Sequence, residues 1–481
     1  MKRHIPLFFT LVFPAFLSFL FALPLEAQSE KQDPQSEVVI DVDTALALAL
    51  RANLGIESEK LNLDIKRNAK DTMYNVFYPK INASVRLSRL NQGPSSVSTL
   101  IPDPTSPAGT FNGLPVYDRV IPVTITPPHR FSLGTSISAS IAFSYSLIHG
   151  MRLTEMDYEA GRINLEKARK KVEIDVKKTF YNLLVIDESI RLAEQNYQAT
   201  LTRYNQAKAN YESGLIDQYS LLAAEVAKES LRPVIVEIQN AYQTLLLSFK
   251  LLLGIDLDTP IKLSGSIDPI IEQFDIRELT SRFLTNRLDI QSLLLARRIT
   301  DEVWKLEKSA LLPVLTLMYS LDPTFQGDPF GDFWWDKSWK QQSGMFSLTL
   351  SLSLDNLIPQ SAQKNRIYNA DIERQKIEVQ LSQVLQAAEL EIRRIVLGLE
   401  KSAKSIEVLK LNVGLAEKAN RMGQEAYRAG LKDYSQIEAT EVSLQEARLN
   451  LLKEKYNYLS GLLELENALN TSLESIRGIK K

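Results

Sequence analysis

The side chains that most often carry catalysis or bind metals are scarce in this sequence. There is no cysteine, which excludes disulfides, thiolate metal sites, a cysteine nucleophile and lipid attachment at an N-terminal cysteine. The histidines are His4, His129 and His149, and we expect the latter two at a surface or an interface. No glycine-rich phosphate loop, Gly-x-Ser-x-Gly or paired-histidine motif occurs. The sequence therefore predicts a protein that is not an enzyme, with no catalytic residue, no metal site and no cofactor.

Positive and negative charges are nearly balanced. Lys and Arg together number 56 and Asp and Glu together 58, a net charge of −2 over 481 residues. Without an excess of cations to release counterions from phosphates, no nucleic-acid partner is expected. By its 44% hydrophobic and 24% charged residues alone, the chain resembles a soluble globular protein.

The most distinctive spacing occurs in two matching segments of the chain. Residues 211–217 align with residues 427–433, so that Gly214-Leu215 coincides with Gly430-Leu431. A glycine that follows a long run of helical periodicity is typical of a helix C-cap, here at a hairpin turn. A second offset aligns Ile56 with Ile290, Ser58 with Ser292, Leu61 with Leu295, Ile65 with Ile299, Pro79 with Pro313 and Leu87 with Leu321. The chain is therefore predicted to be an internal duplication.

Long amphipathic helices must position these turns. Apolar residues recur every three or four positions, which predicts helices over 152–212, 216–253, 361–429 and 433–470. The absence of proline from all of 360–481 agrees, because an internal proline breaks a helix. A helix of about 90 Å cannot bury its stripe in a compact domain and must pack in a bundle. A cytosolic coiled coil is the alternative.

Four segments instead alternate with a period of two, at about 80–90, 130–147, 314–321 and 345–354. Their polar face consists mainly of small hydroxyl residues, which favours strands that separate lipid from a water-filled lumen. An ordinary half-buried sheet remains the alternative. The intervening segments, 91–128 and 323–343, are predicted to be surface loops, and the second contains Trp334, Trp335 and Trp339.

The N-terminus has the order of a secretory signal. Lys2 and Arg3 precede an apolar run, and cleavage is predicted after Ala27, with an uncleaved anchor helix as the alternative. No later segment supplies the ~18 apolar residues of a spanning helix. The mature protein is therefore expected to be soluble outside the cytoplasm or to span a membrane by strands.

The order helix, strand, loop, strand, long helix, Gly-Leu turn and helix, present twice, resembles the TolC-like outer-membrane efflux proteins. The two Tyr-x-x-Gly-Leu turns, the helix starts at Asn53 and Asn286 and the junctions at Pro79 and Pro313 carry this resemblance. It implies a mainly α fold with membrane β structure. Duplicated helical hairpins would form a periplasmic α-barrel, and four strands per protomer would join a trimeric, twelve-stranded transmembrane β-barrel.

The resemblance also implies the domain organisation. The signal peptide is 1–27, the first repeat 28–253, an equatorial linker 254–285, the second repeat 286–470 and the C-terminal tail 471–481.

The function implied is that of an outer-membrane exit duct. A homotrimer would carry small molecules from an inner-membrane transporter, of the resistance-nodulation-division or ABC type, through a periplasmic adaptor to the outside. Its tunnel would lie in the periplasm and its strands in outer-membrane lipid. The alternatives are an exit duct for type I protein secretion and, in another class, a soluble periplasmic coiled-coil adaptor.

The resemblance finally assigns the candidate site. Gly214, Leu215, Gly430 and Leu431 would form the periplasmic tip and contact the adaptor. Tyr427 and Lys432 match residues that close the pore in relatives by bonding to an acidic residue beyond the first turn. Ser220 occupies that acidic position here, so Asp217 is the candidate substitute. Gln436 and Ala439 stand where some relatives have a ring of aspartates, so no such ring is expected.

Overall fold

The computed structural model describes residues 38–89, 91, 97–125, 131–326, 343–429, 431, 434–472 and 475. Its helices are α1 (Val42–Ala52), α2 (Leu54–Asp71), α3 (Tyr145–Glu212), α4 (Gln218–Leu253), α5 (Ile276–Phe283), α6 (Leu288–Ser309), α7 (Ala362–Arg428) and α8 (Tyr434–Leu469). Its strands are β1 (Val38–Ile40), β2 (Lys80–Arg89), β3 (Val97–Pro102), β4 (Pro107–Phe111), β5 (Leu114–Tyr117), β6 (Val120–Ile125), β7 (Phe131–Phe143), β8 (Ile261–Leu263), β9 (Val314–Leu321), β10 (Thr324–Gln326) and β11 (Gly344–Ser351). The predicted signal peptide, His129 and the tryptophan cluster lie outside the described residues.

Two very long helices organise the molecule. Helices α3 and α7 have 68 and 67 residues, so each is about 100 Å long. Each packs against the 36-residue helix that follows it, α4 or α8, and forms a hairpin. Over the described part of the chain, no helix is apolar along enough of its length to cross a bilayer.

The helices pack side by side in two tiers. In the tier next to the sheet, α2 packs on α3, α3 on α6 and α6 on α7. In the tier next to the turns, α4 packs on α3, α3 on α8 and α8 on α7. Helices α3 and α7 therefore run through both tiers. In each tier, α3 forms the contact between the first repeat and the second.

The largest buried clusters lie between these tiers. One gathers Phe180 of α3 with Phe249 and Leu253 of α4, beside α1. The other gathers Ile392 of α7 with Tyr458 of α8, whose hydroxyl accepts a hydrogen bond of 2.8 Å from the Glu272 amide. The segment between the repeats is thus fastened to the second hairpin, and it contains β8 and α5 rather than loop alone.

The duplication is visible in matching helix ends. The Asn53 amide caps α2 and donates to the Leu252 carbonyl at 2.9 Å. At the matching position of the second repeat, Arg287 precedes α6 and donates to the Ala468 carbonyl at 3.3 Å. The predicted helix start at Asn286 is therefore wrong by one residue. Arg287 makes no side-chain cap; the Asp289 carboxylate, which binds the Arg287 guanidinium, also accepts the Ile290 amide at 2.8 Å in the first turn of α6.

The principal sheet contains the four predicted strands in the antiparallel order β2, β7, β9, β11. Short β10 also pairs with the start of β7. Side chains on β2 and β11 are almost all exposed, on both faces of the sheet. In the described residues, the outer edges of β2 and β11 have no strand partner.

The second strand is shorter than predicted. It ends at Phe143, and α3 begins at Tyr145 rather than at residue 152. The alternation of apolar and polar residues continues through Leu147, but those residues lie in the first helical turns. A contact between rings four residues apart favours the helix, because the Tyr145 ring packs edge-on against His149 with centroids 5.0 Å apart.

Residues 97–125 form a β-ribbon instead of the predicted loop. Strand β3 pairs with β6 and β4 pairs with β5. At the tip, Asn112 and Gly113 both have positive φ, as in the two-residue hairpin turn that Asn-Gly favours. A two-stranded ribbon has only edge strands, so prolines fit wherever the missing N–H would point outwards. The proline content that suggested a loop is thus compatible with strands.

We predict that Gly254→Ala destabilises the protein. Gly254 ends α4 with φ +70°, and a Cβ there would lie 2.4 Å from the Ala52 carbonyl oxygen. The left-handed conformation alone costs about 1–2 kcal/mol for alanine, so the midpoint of thermal unfolding by circular dichroism should fall.

Gly398→Ala is the control. Gly398 lies within α7 with open space around it, and the first repeat carries a side chain, Asn182, at the matching position of α3, so a Cβ is compatible with this position. Alanine in a helix interior should raise stability by about 0.8–1.0 kcal/mol. An equal loss from both substitutions would contradict the account.

Candidate functional site

The first helical turn ends α3 with a glycine cap. Gly214 has φ +74°, its amide donates to the Tyr211 carbonyl at 2.9 Å, and the Leu215 amide donates to Asn210 at 2.8 Å. This pair of bonds is the Schellman arrangement, which satisfies the last carbonyls of a helix and requires a left-handed residue. The chain can then reverse direction within five residues, before α4 starts at Gln218.

The second turn has the same geometry as the first in the residues that the structure describes. The Leu431 amide donates to the Ala426 carbonyl at 2.8 Å, which matches the Leu215 bond in the first turn. Gly430 and Lys432 lie outside the described residues. Both leucines are among the most exposed apolar side chains, with 74% of Leu215 and 79% of Leu431 accessible. Each hairpin thus ends in a projecting leucine.

Asp217 and Ser220, both proposed from the resemblance, are bonded to each other. The Asp217 carboxylate caps α4 by accepting the Ser220 amide at 3.0 Å. Hydrogen bonds from the side chain and the backbone of Ser220 lower the pKa of Asp217. The pattern Asp-x-x-Ser at the start of an apolar periodic run is a helix-start signal, and it could have been recognised in the sequence.

Tyr427 lies on the last turn of α7 and is half-buried. Among the described residues its hydroxyl has no hydrogen-bond partner. Its counterpart Tyr211 is 40% exposed on α3. The gating contact of Tyr427 and Lys432 with Asp217 therefore stays a prediction.

An ion pair that sequence reasoning missed lies close to the turns. Arg203 of α3 and Glu441 of α8 are paired, with only 11% and 10% of their side chains accessible. Arg203 also donates to the Ala199 carbonyl. The pair joins the first hairpin to the second. No local pattern identifies it, because the partners are far apart in the chain and each is one charge among many.

A second missed cluster lies at the opposite end of α3, near the sheet. His149 is buried and its Nδ1 lies 2.6 Å from the Glu302 carboxylate, so the expected placement at a surface or an interface is wrong. Burial raises the pKa of Glu302, but hydrogen bonds from His149, Lys305 and Arg152 outweigh it and the net shift is downward. Because Glu302 belongs to α6, this cluster ties the first repeat to the second next to the sheet.

The repeated architecture agrees with the match to a known family. The family model for outer membrane efflux proteins matches residues 45–255 and 279–471. The chain belongs to the outer membrane efflux protein family. The two matched ranges coincide with the two helical repeats, so the duplication found in the sequence is a property of the family's fold. No curated protein matches the sequence significantly.

Solved structures with the same fold extend over nearly the whole chain. CusC, whose crystal structures describe folding and transmembrane channel formation, is 15% identical with a TM-score of 0.70. The match covers 94% of this chain and 97% of the CusC chain. The CmeC outer membrane channel of Campylobacter jejuni is 17% identical, with a TM-score of 0.70 and coverages of 94% and 93%. The open state of the MtrE outer membrane channel of Neisseria gonorrhoeae is 16% identical, with a TM-score of 0.67. The match covers 90% of this chain and 89% of MtrE.

We predict that Asp217→Ala loosens the start of α4. Because its folded-state pKa is depressed, the Asp217 cap is fully present above the pKa of an unfolded aspartate, about 3.9. It is lost as the pH falls through the lower, folded-state pKa. At neutral pH, hydrogen exchange in residues 218–222 should become several-fold faster in Asp217→Ala.

Asp217→Asn is the matched control, since its side-chain carbonyl still caps a helix but does not titrate. It should keep slow exchange at neutral pH, and its protection against exchange should not fall when the pH drops through the folded-state pKa of Asp217. Exchange in Asp217→Ala at the rate of the unsubstituted protein would show that the cap does not hold this turn.

Proposed function

We propose that this protein is the outer-membrane exit duct of a tripartite efflux pump. It carries small molecules from an inner-membrane transporter and a periplasmic adaptor to the outside, with its sheet in the membrane and its helices in the periplasm. One observation carries the proposal: apolar positions that are buried in one repeat are exposed at the matching positions of the other. A duct made of several copies accounts for this difference.

The comparison of α2 with α6 illustrates it. Leu288 and Leu295 of α6 are 9% and 4% exposed, in a helix that packs between α3 and α7. The matching Leu54 and Leu61 of α2 are 77% and 58% exposed. The residue types are unchanged, and burying one leucine contributes about 1.5–3 kcal/mol. The outer face of α2 is therefore suited to a helix equivalent to α3, namely α7 of another copy.

The tier next to the turns repeats the pattern. Leu390 of α7 is exposed where Ile174 of α3 is buried. On the shorter helices, Val236 and Leu247 of α4 are exposed. Their counterparts in α8, Leu452 and Leu463, are buried. The exposed face of α7 in one copy and that of α4 in the next thus correspond to the α3–α8 contact within a copy. Such a head-to-tail interface closes a ring when its rotation allows it.

The sheet leads to the same assembly. Strands β2 and β11 stand at opposite edges and run in opposite directions, so β11 of one copy can pair with β2 of the next in an antiparallel ladder. Lipid does not tolerate unpaired edges, and closure by further copies removes them. Three copies supply twelve strands. The number three follows the family resemblance, whereas the need for copies follows from the exposed faces and edges.

The two helical turns are the proposed contact for the adaptor. Leu215 and Leu431 project from the end of the hairpins that lies farthest from the sheet, where a periplasmic partner can reach them. Tyr427, Lys432 and Asp217 are the proposed gating residues at the same end. An exit duct for secreted proteins would use the same wall and turns, and the inner-membrane partner would select the cargo.

The assembly is tested by Leu61→Asp, which places a charge in the proposed interface between copies. Light scattering should show that the purified protein has lost its oligomer, and planar lipid bilayers should show no channel conductance. The unsubstituted protein should give trimers and channels. A monomeric unsubstituted protein without conductance would contradict the proposed function.

Leu100→Asp is the matched control, since Leu100 is 66% exposed on the β-ribbon and belongs to no helical interface. It should leave both the oligomer and the conductance unchanged.

The adaptor contact is tested by Leu431→Asp, with Leu215→Asp as the equivalent change in the first turn. Crosslinking to the adaptor in cells should be lost, because a charge replaces the projecting apolar group, while trimers persist. Undiminished crosslinking in both variants would exclude the turns as the docking site.

A further inference from the structure

A cavity with a cationic lining lies where the two tiers meet. It has a volume of about 550 Å³ and opens between the middle of α3, the start of α6 and the end of α8. Its lining includes two acids, Asp175 and Asp289, and the side-chain amides of Asn467 and Asn470. Positive charges outnumber these acids. The cations are Lys167, Lys170, Lys171, Lys178 and Arg287.

Ion pairs within the copy neutralise only part of this lining. Three of the cations have an acidic partner within 3.1 Å, in the pairs Lys178–Glu464, Lys170–Glu173 and Arg287–Asp289. Lys167 and Lys171 form no ion pair with any residue that the structure describes, and each is at least partly exposed. Asp175 is the lining acid that likewise has no such partner. Two ammonium groups without a partner are thus balanced by one such carboxylate.

The cavity opens on the side of the helices that lies opposite the segment between the repeats. On α3 this segment packs against Phe180 through Gly265. Lys171 precedes Phe180 by nine residues, about two and a half helical turns, so the two side chains point in opposite directions. Helix α8 agrees, because the Tyr458 hydroxyl bonds to the segment's backbone and Asn467 follows Tyr458 by nine residues.

In the proposed ring of copies, this cavity faces the passage. The segment between the repeats, residues 254–285, must lie outside the helical wall, because several copies of it inside the ring would fill the duct. The opposite side of the wall, which carries Lys171 and Asn467, is then the inner one. The cations around the cavity are therefore exposed to the molecules that move through the duct.

The charges on this side of α3 are confined to one level. In helices that coil around each other, residues seven apart lie on the same side. Seven-residue steps from Lys178 and from Asp175 towards the turns reach only uncharged side chains. These are Val185 and Leu192 on the first track and Asn182, Ser189 and Asn196 on the second.

The second repeat continues the same level on α7. The offset of 216 residues that aligns the two helical turns also makes the fully buried positions of α3 and α7 coincide. It places Arg394 at the position of Lys178, and Ser248 at the position of the acidic partner Glu464. Arg394 is exposed and has no ion pair within the part of the chain that the structure describes. Each copy therefore adds a third cation without a partner.

We propose that Lys167, Lys171 and Arg394 of each copy form a cationic band that binds anionic cargo inside the duct. The proposal rests on the proposed function and narrows its cargo to small molecules that carry carboxylate or phosphate groups. Ammonium, guanidinium and amide groups supply the N–H donors that such oxygens accept. A passage lined with an excess of one charge also raises the local concentration of oppositely charged solutes. Exposed lysines bind weakly enough to release the cargo, which conduction requires.

The band is tested in planar lipid bilayers with a full-length double variant, Lys167→Gln with Lys171→Gln. The substitutions remove two charges per copy and break no ion pair of the described residues. The matched control is Arg162→Gln with Arg169→Gln, which removes the same charge from the same helix. Both arginines are exposed. They precede Phe180 by about five and three turns, so they lie on its side of α3, outside the passage.

The measurements are the reversal potential in a gradient of KCl and the block of conductance by citrate or by inorganic phosphate, at low ionic strength so that screening is weak. In the lysine variant, the ratio of chloride to potassium permeability should fall several-fold, and half-block should require several-fold more of the blocking anion. The arginine control should behave as the unsubstituted protein does. Block by citrate alone, by phosphate alone or by both supports the proposal and identifies the group that the band binds.

Three results would overturn the inference while leaving the proposed duct in place, because a conducting channel is present in each. They are an unsubstituted channel that neither anion blocks, equal block of the lysine variant and the unsubstituted channel, and the same weakening of block in the arginine control. An unsubstituted protein that forms neither trimers nor channels would instead contradict the proposed function.

Discussion

The need to cover apolar faces that one chain cannot cover alone governs this structure. Within a copy, α3 lies between the repeats and buries leucines on its neighbours in both tiers. Helix α7 is the equivalent of α3 in the second repeat, but no helix covers the apolar residues on one of its sides. Apolar residues on one side of α2 and of α4 are exposed in the same way. The two edge strands of the sheet are incomplete in the same sense, because in the described residues their outer backbone groups have no strand partner. The proposed assembly with identical copies would resolve both.

The long helices make such an assembly geometrically feasible. Because α3 and α7 pass through both tiers without interruption, they connect the strands to the turns in a single element. Clusters around Phe180 and Tyr458 hold the tiers together halfway along, where the segment between the repeats also packs. Near the turns at the far end, the helix caps and the buried Arg203–Glu441 pair hold the hairpins in place.

Local signals in the sequence predicted the repeated elements well, whereas contacts between distant residues could not be predicted. The Gly214 cap and the strands β2, β9 and β11 follow from patterns a few residues long. The start of α3 was missed because alternation persists into a helix, and the ribbon because prolines outweighed the Asn112-Gly113 turn signal. His149 and Arg203 find their partners more than 150 residues away, so only the fold brings these charges together.

The most direct test of the central claim is an electron cryomicroscopy map of the mature protein in lipid nanodiscs. The account predicts a closed ring of three copies in which Leu54, Leu61 and Leu390 are buried at the contact between one copy and the next. It also predicts that β11 of each copy pairs with β2 of its neighbour. A monomer, or a ring in which α7 leaves the outer faces of α2 and α4 exposed, would contradict it.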